Sequence, residues 1–172
     1  MSLSLEQSTG LNLVLAPASA GAALSGTTGA ATTYSMALFG YIINGVPYNK
    51  AVQSGVASPT TDGNTGLAST LSLAINQARV YVWGINAAGT IAVFAGPVAS
   101  WPNVSGTSLG AVPLQFPAVP GTYAVLAYQV LANGSNGSAF AFGSTNWSNT
   151  GMSPQTPVNT SGFLPSVPPL TP

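Results

Sequence analysis

Large apolar side chains recur at every second position in several short runs, and helical spacing competes in only one place. Ser2-Leu3-Ser4-Leu5 and Leu11-Asn12-Leu13-Val14-Leu15 alternate near the start of the chain, the period of a half-buried strand. Pro17 to Thr33 holds no large side chain except Leu24, so it reads as a loop or an extended arm lying on another surface. Tyr34–Ile43 is aromatic and β-branched, and Asn44-Gly45 follows directly before Val46-Pro47-Tyr48. An Asn-Gly pair between apolar runs predicts a type I′ hairpin turn, because both central residues must take positive φ. Ser54–Gly66, with Pro59, Asp62 and Gly63, reads as a polar loop.

Leu67–Arg79 fits two periods. Leu67, Leu71, Ile75 and Ala78 are spaced for a helix, while Leu71, Leu73 and Ile75 alternate as in a strand; the intervening Ser and Thr favour the strand. Arg79–Ile85 and Thr90–Phe94, joined by Asn86-Ala87-Ala88-Gly89, predict a second hairpin. Thr122–Ala132 and Ser138–Gly143, linked by Asn133-Gly134-Ser135-Asn136-Gly137, predict a third. Pro97–Gly121 between them is irregular and proline-rich. Pro154–Pro172 holds six of the 14 prolines, which excludes helix interior and central strand and leaves extended, polyproline-like chain. The pattern predicts an all-β fold, an antiparallel sandwich or barrel of jelly-roll type. An N-terminal strand and arm would occupy 1–33, the β domain 34–153 and a proline-rich tail 154–172.

Charge narrows the chemistry. Of 172 residues only Glu6, Asp62, Lys50 and Arg79 are ionised, 2% of the chain, and neither His nor Cys occurs. Disulfides, thiolate or imidazole catalysis and Cys/His metal sites are thereby excluded. Nucleic-acid binding is excluded as well, since it needs Lys and Arg in numbers. The apolar stretches Leu11–Leu24 and Thr90–Trp101 are broken by Pro17 and Pro97 and are too short to span a bilayer. The N-terminus carries Glu6 where a secretory signal would be cationic, so a cleaved signal peptide is not expected. Glu6 and Asp62 lie in an arm and a turn sequence and make no catalytic pair. Lys50 has no nucleophile motif beside it, and Asp62 with Asn64 offers at best a poor calcium site. Five Asn-x-Ser/Thr triplets, at Asn103, Asn133, Asn136, Asn146 and Asn159, follow from composition. No cofactor is expected.

The aromatic residues divide. Tyr81 and Trp83 share one face of a predicted strand, as core residues do, whereas Trp101 and Trp147 stand in loop-like sequence and suit intermolecular contact. Leu11, Leu13 and Leu15 in the N-terminal strand, Phe116 in the irregular segment, and Phe163 and Leu164 in the tail complete the set of contact candidates. An uncharged surface repels copies of itself weakly, so this composition suits close packing against other protein.

Val80-Tyr81-Val82-Trp83-Gly84-Ile85-Asn86-Ala87-Ala88-Gly89-Thr90 and Leu114-Gln115-Phe116-Pro117-Ala118-Val119-Pro120 resemble small structural proteins of tailed bacteriophages. So do Ala127-Tyr128-Gln129-Val130 and Phe142-Gly143-Ser144-Thr145-Asn146-Trp147. The resemblance covers about Tyr34–Gly151, leaving out the arm and the tail, and brings no active-site residues. It implies a non-enzymatic capsid decoration (cement) or head-fibre protein, made in the host cytoplasm and placed on the outer surface of the virion head. Its partner would be the major capsid protein, and by analogy it would form a homo-oligomer, a trimer before a dimer. A host-adhesion or carbohydrate-binding module using Trp101 and Trp147 is the alternative. A repeat-built surface amyloid is disfavoured, because no repeat is present.

Overall fold

The computed structural model describes residues 12–15, 24–25, 32–101, 114–134, 138–154, 157–162 and 164–166. It is an antiparallel β-sandwich whose eleven short strands, counted among the described residues, combine into fewer, longer ones. In the first sheet, β2 (Thr33–Met36) and β3 (Phe39–Ile43) run along one side of a hairpin, and β4 (Val46–Lys50) and β5 (Gln53–Ala57) along the other. The pairs Ile43↔Val46, Phe39↔Lys50 and Met36↔Gln53 keep one register. The two ladders are therefore one long hairpin, broken where 37–38 face 51–52. Its turn is the expected type I′, with Asn44 at φ 50° and Gly45 at φ 79°. β1 (Leu13–Leu15) pairs with the far side of β3, and Ser25 bonds reciprocally to Ser35 of β2 at 3.0 Å.

The second sheet is built around β6 (Gln77–Asn86) and β9 (Tyr123–Asn133), paired over almost their whole length. β7 (Ile91–Ala95) and β8 (Ala99–Ser100) follow one another along the free side of β6. β10 (Met152–Pro154) and β11 (Val158–Gly162) follow one another along the free side of β9. Alternation then dictates two buried faces. Tyr81, Trp83 and Ile85 of β6 point between the sheets, with Tyr34, Met36, Phe39, Tyr41 and Ile43 opposite them. Ala78, Val80 and Val82 point to the outer face. In β9 a register shift opposite Trp83 and Gly84 places Leu126 and Ala127 on the same inner side, the expected effect of one extra residue in a ladder.

Several expectations need correction. Ser54–Gly66 is not all loop: Gln53–Ala57 is a strand, polar because it lies at an edge. The strand favoured within Leu67–Arg79 is instead one helical turn, α1 (Ala68–Leu71), after which Leu73 bridges to Phe140. Both patterns were partly right, since Leu71 and Leu73 are fully buried while Leu67 and Ile75 are exposed. Ser138–Gly143 does not pair with β9, whose edge is taken by the C-terminal strands; only Phe140 joins a bridge, with Leu73. The described parts of the two extensions belong to the sandwich. Val14 and Leu24 are core residues, and β11 is a strand despite the proline density around it, its own five residues containing none.

Gly96 sits where the segment 114–120 crosses the second sheet. Its N–H donates to Val80 O at 2.8 Å, and a Cβ there would stand 2.3 Å from the Gln115 carbonyl oxygen. Both neighbours are backbone and cannot rotate away. Gly96→Ala is expected to cost about 2–3 kcal/mol by overpacking. Thermal melting should register this as a fall of roughly 5–10 °C for a chain of this size.

Candidate interaction surface

Three of the four charged side chains are described, and each is held by backbone. Lys50 Nζ donates to Gly89 O at 2.8 Å. Arg79 Nη1 donates to Thr70 O, and to Ser72 O at 3.3 Å. Asp62, 1% exposed, accepts from the N–H groups of Asn64 and Thr65 on Oδ1 at 3.0 and 2.9 Å, and from Ala95 on Oδ2 at 2.9 Å. Three of the carboxylate's roughly four acceptor sites are thereby taken by backbone. Among the described residues no group of three acidic, His or Cys side chains could hold a metal ion, and no helix is long and apolar enough to cross a membrane. Burial raises the Tyr81 phenol far above its ordinary value, Arg79 acting weakly against it. Burial also raises Tyr34, and Tyr41 with a smaller contribution from Tyr48.

Two described sheet edges, those of β7 and of β4 with β5, offer little backbone for a partner strand. The β7 edge is covered by the Asp62 turn, where Gly63 N–H donates to Val93 O at 2.8 Å. On β4 and β5 the pairing of Val46, Tyr48 and Lys50 with β3 turns Pro47, Asn49 and Ala51 outward. Pro47 has no N–H to give, and Gln53 Nε2 donates to the carbonyls of Ala51 and Val52 at 3.2 and 3.0 Å. These are the devices by which exposed edges avoid pairing.

The outer face of the second sheet gathers apolar side chains around an irregular segment. The segment 114–120 lies across it without regular structure. Leu114 is buried, Phe116 packs edge-on to Tyr128 with centroids 5.1 Å apart, and Ala118 O accepts from Asn64 Nδ2 at 2.8 Å. Trp101, Phe116, Val119 and Leu164 are half-buried against the same cluster. Exposed Gln115 and Ala118 lie between them. No charged residue occurs in 114–120.

The structure thus brings together three of the eight contact candidates, Trp101, Phe116 and Leu164. Leu13 lies on the first sheet, in β1, as does the backbone of Leu15. Leu11 and Phe163 fall outside the described residues. Trp147 is a correction: it is fully buried, with Phe140 at 5.7 Å and Phe142 at 4.8 Å, and has no surface to offer. Val119 was missed, although it follows Phe116 and Leu114 in the one apolar stretch of the irregular region. No protein-family model matches this chain, and comparison with curated proteins and with solved structures found no match.

Proposed function

We propose that this protein is a non-enzymatic structural protein that binds other protein through the outer face of its second sheet. The observation that carries the reading is the gathering of half-buried Trp101, Phe116, Val119 and Leu164 on an uncharged face, while the described charges are spent on backbone. Aromatic and apolar anchors flanked by neutral polar groups are the usual core of a protein interface. With the resemblance of the strand and loop runs to phage virion proteins beside it, the partner we propose is an assembled shell. The protein would then be a capsid decoration component on the outside of the head, a homotrimer or, failing that, a dimer. Repetition over a lattice would make many weak, uncharged contacts effective. The carbohydrate-binding alternative drew on Trp101 and Trp147, and with Trp147 buried it rests on Trp101.

Co-sedimentation with assembled capsids tests the reading. Ala118→Glu places a charge in the middle of the face at an exposed position, where folding should change by no more than about 0.5 kcal/mol. It should weaken attachment about tenfold or more, the size of one interface anchor. Val52→Glu, on the other sheet, should leave attachment intact. Capsids stripped of the protein should rupture at a lower temperature. Equal retention of wild type and Ala118→Glu would refute the assigned face, and failure of the wild type to bind shells would refute the function.

A further inference from the structure

Two Asn-Gly steps are described, and their surroundings are opposite. Asn133-Gly134 is locked: Asn133 is fully buried, its Nδ2 donates to Ser138 O at 2.9 Å and to Leu73 O at 3.3 Å, and Gly134 N–H donates to Gly151 O at 2.8 Å. Asn44-Gly45 is the tip of the first hairpin, and both residues are exposed.

We propose that Asn44 is a site of spontaneous deamidation in the folded protein. The Gly45 nitrogen attacks the Asn44 side-chain carbonyl carbon, a new C–N bond closes a five-membered succinimide, and the amide nitrogen leaves as ammonia. Water then opens the ring to aspartate or isoaspartate. No oxidant or other co-reactant is needed, and the Gly45 nitrogen must first lose its proton to hydroxide. Glycine has no side chain to obstruct the approach, and a two-residue tip opens at little cost. At Asn133 the same chemistry is blocked at both ends, because nucleophile and leaving group are each held in hydrogen bonds inside the sandwich.

The product has two consequences for this chain. It puts one negative charge on a molecule of zero formal net charge. As isoaspartate it also adds a backbone carbon to a turn that accommodates two residues. Asn44 N–H donates to Asn12 Oδ1 at 2.8 Å, and Asn12 Nδ2 donates to Gly121 O at 2.6 Å and Tyr123 O at 3.0 Å. A lengthened turn would therefore disturb the contact by which Asn12 ties the hairpin tip to the start of β9. The inference is independent of what the outer face binds.

Peptide mapping by mass spectrometry after incubation of the full chain, folded and in urea, decides the matter. In the folded protein the mass change of amide to acid should appear at residue 44, in proportion to hydroxide, at a rate within about tenfold of the unfolded chain, because both turn residues are exposed. Asn133 should react about a thousandfold or more slowly than when unfolded, because it must await global opening. In urea both should react. Survival of the Asn44 amide in the folded protein, or loss at Asn133 as fast as at Asn44, would overturn the proposal.

Discussion

Replacing Phe142 by alanine should lower the melting temperature by about 10 °C, the largest effect expected of any single core substitution. Phe142 is the hub of the aromatic cluster. Its ring centroid lies 4.8 Å from Tyr81, 5.6 Å from Trp83, 6.2 Å from Phe140 and 4.8 Å from Trp147. It belongs to no strand. A turn presents it, with Ala141 O accepting from Ser144 N–H at 3.0 Å and Thr145 N–H at 2.8 Å. A buried phenylalanine cut back to alanine costs about 3–5 kcal/mol, and aromatic pairs exceed their area burial by roughly 0.5–1.5 kcal/mol each. Against a total stability of about 5–15 kcal/mol, this is a large share. Phe142→Leu keeps much of the volume and should lose less than half as much. An alanine variant melting within about 3 °C of the wild type, which would correspond to about 1 kcal/mol, would show that the cluster closes over the gap and that Phe142 is not its centre.

The same segment shows how far sequence reading reaches. Ser138–Gly143, read as a hairpin strand, does alternate, with Phe140 and Phe142 buried and Ala139 and Ala141 exposed, but it pairs with no described strand. Alternation fixes a face but not a partner, and the edge of β9 went to chain some twenty residues further on. Hairpins closed by a local turn were legible because turn chemistry and register sit in the same few residues: Asn44-Gly45 for β3 and β4, and the Asn86–Gly89 loop for β6 and β7. Asn86 helps close that loop through Oδ1, which accepts from Ala88 and Thr90 N–H at 3.0 Å each. Long-range closures were not legible. Nothing near Leu13 or Val158 states that one will meet β3 and the other β9. The apolar outer face of the second sheet was half legible for the same reason. Trp101, Phe116 and Leu164 could be singled out as apolar residues in poorly ordered sequence, but so could Trp147. Its loop-like sequence suggested a contact position, yet it is buried, with its indole Nε1 lacking a hydrogen-bond partner. Contact with Phe140 and Phe142 outweighs that cost.

Asp62, read as a turn aspartate, does organise a turn, but it is also buried at the edge of the second sheet, and Asp62→Ala should be the most damaging polar substitution. Oδ1 organises the turn through Asn64 and Thr65, and Oδ2 takes the outward N–H of Ala95, next to the bond from Gly63 N–H to Val93 O. The edge of β7 is thereby closed by a side chain instead of a strand. A hydrogen bond to a charged group contributes about 1.5–3 kcal/mol. Two of the three lie in an exposed turn and merit the lower value or less, so the alanine variant should lose about 3–4 kcal/mol in denaturant unfolding. Asp62→Asn separates the two functions. The amide oxygen can still serve Asn64 and Thr65, but the amide nitrogen would meet the Ala95 N–H as a second donor. Hydrogen exchange should therefore quicken at Ala95 while the turn amides stay protected. A free β7 edge also makes both variants liable to edge-to-edge association, so light scattering should rise at protein concentrations where the wild type is stable. If Ala95 stays as protected in Asp62→Asn as in the wild type, the carboxylate is not what closes the edge. With so few charges in the chain, the placement of this one as an edge cap, together with Lys50 and Arg79 that bond to backbone carbonyls, shows the described ionic groups finishing the fold.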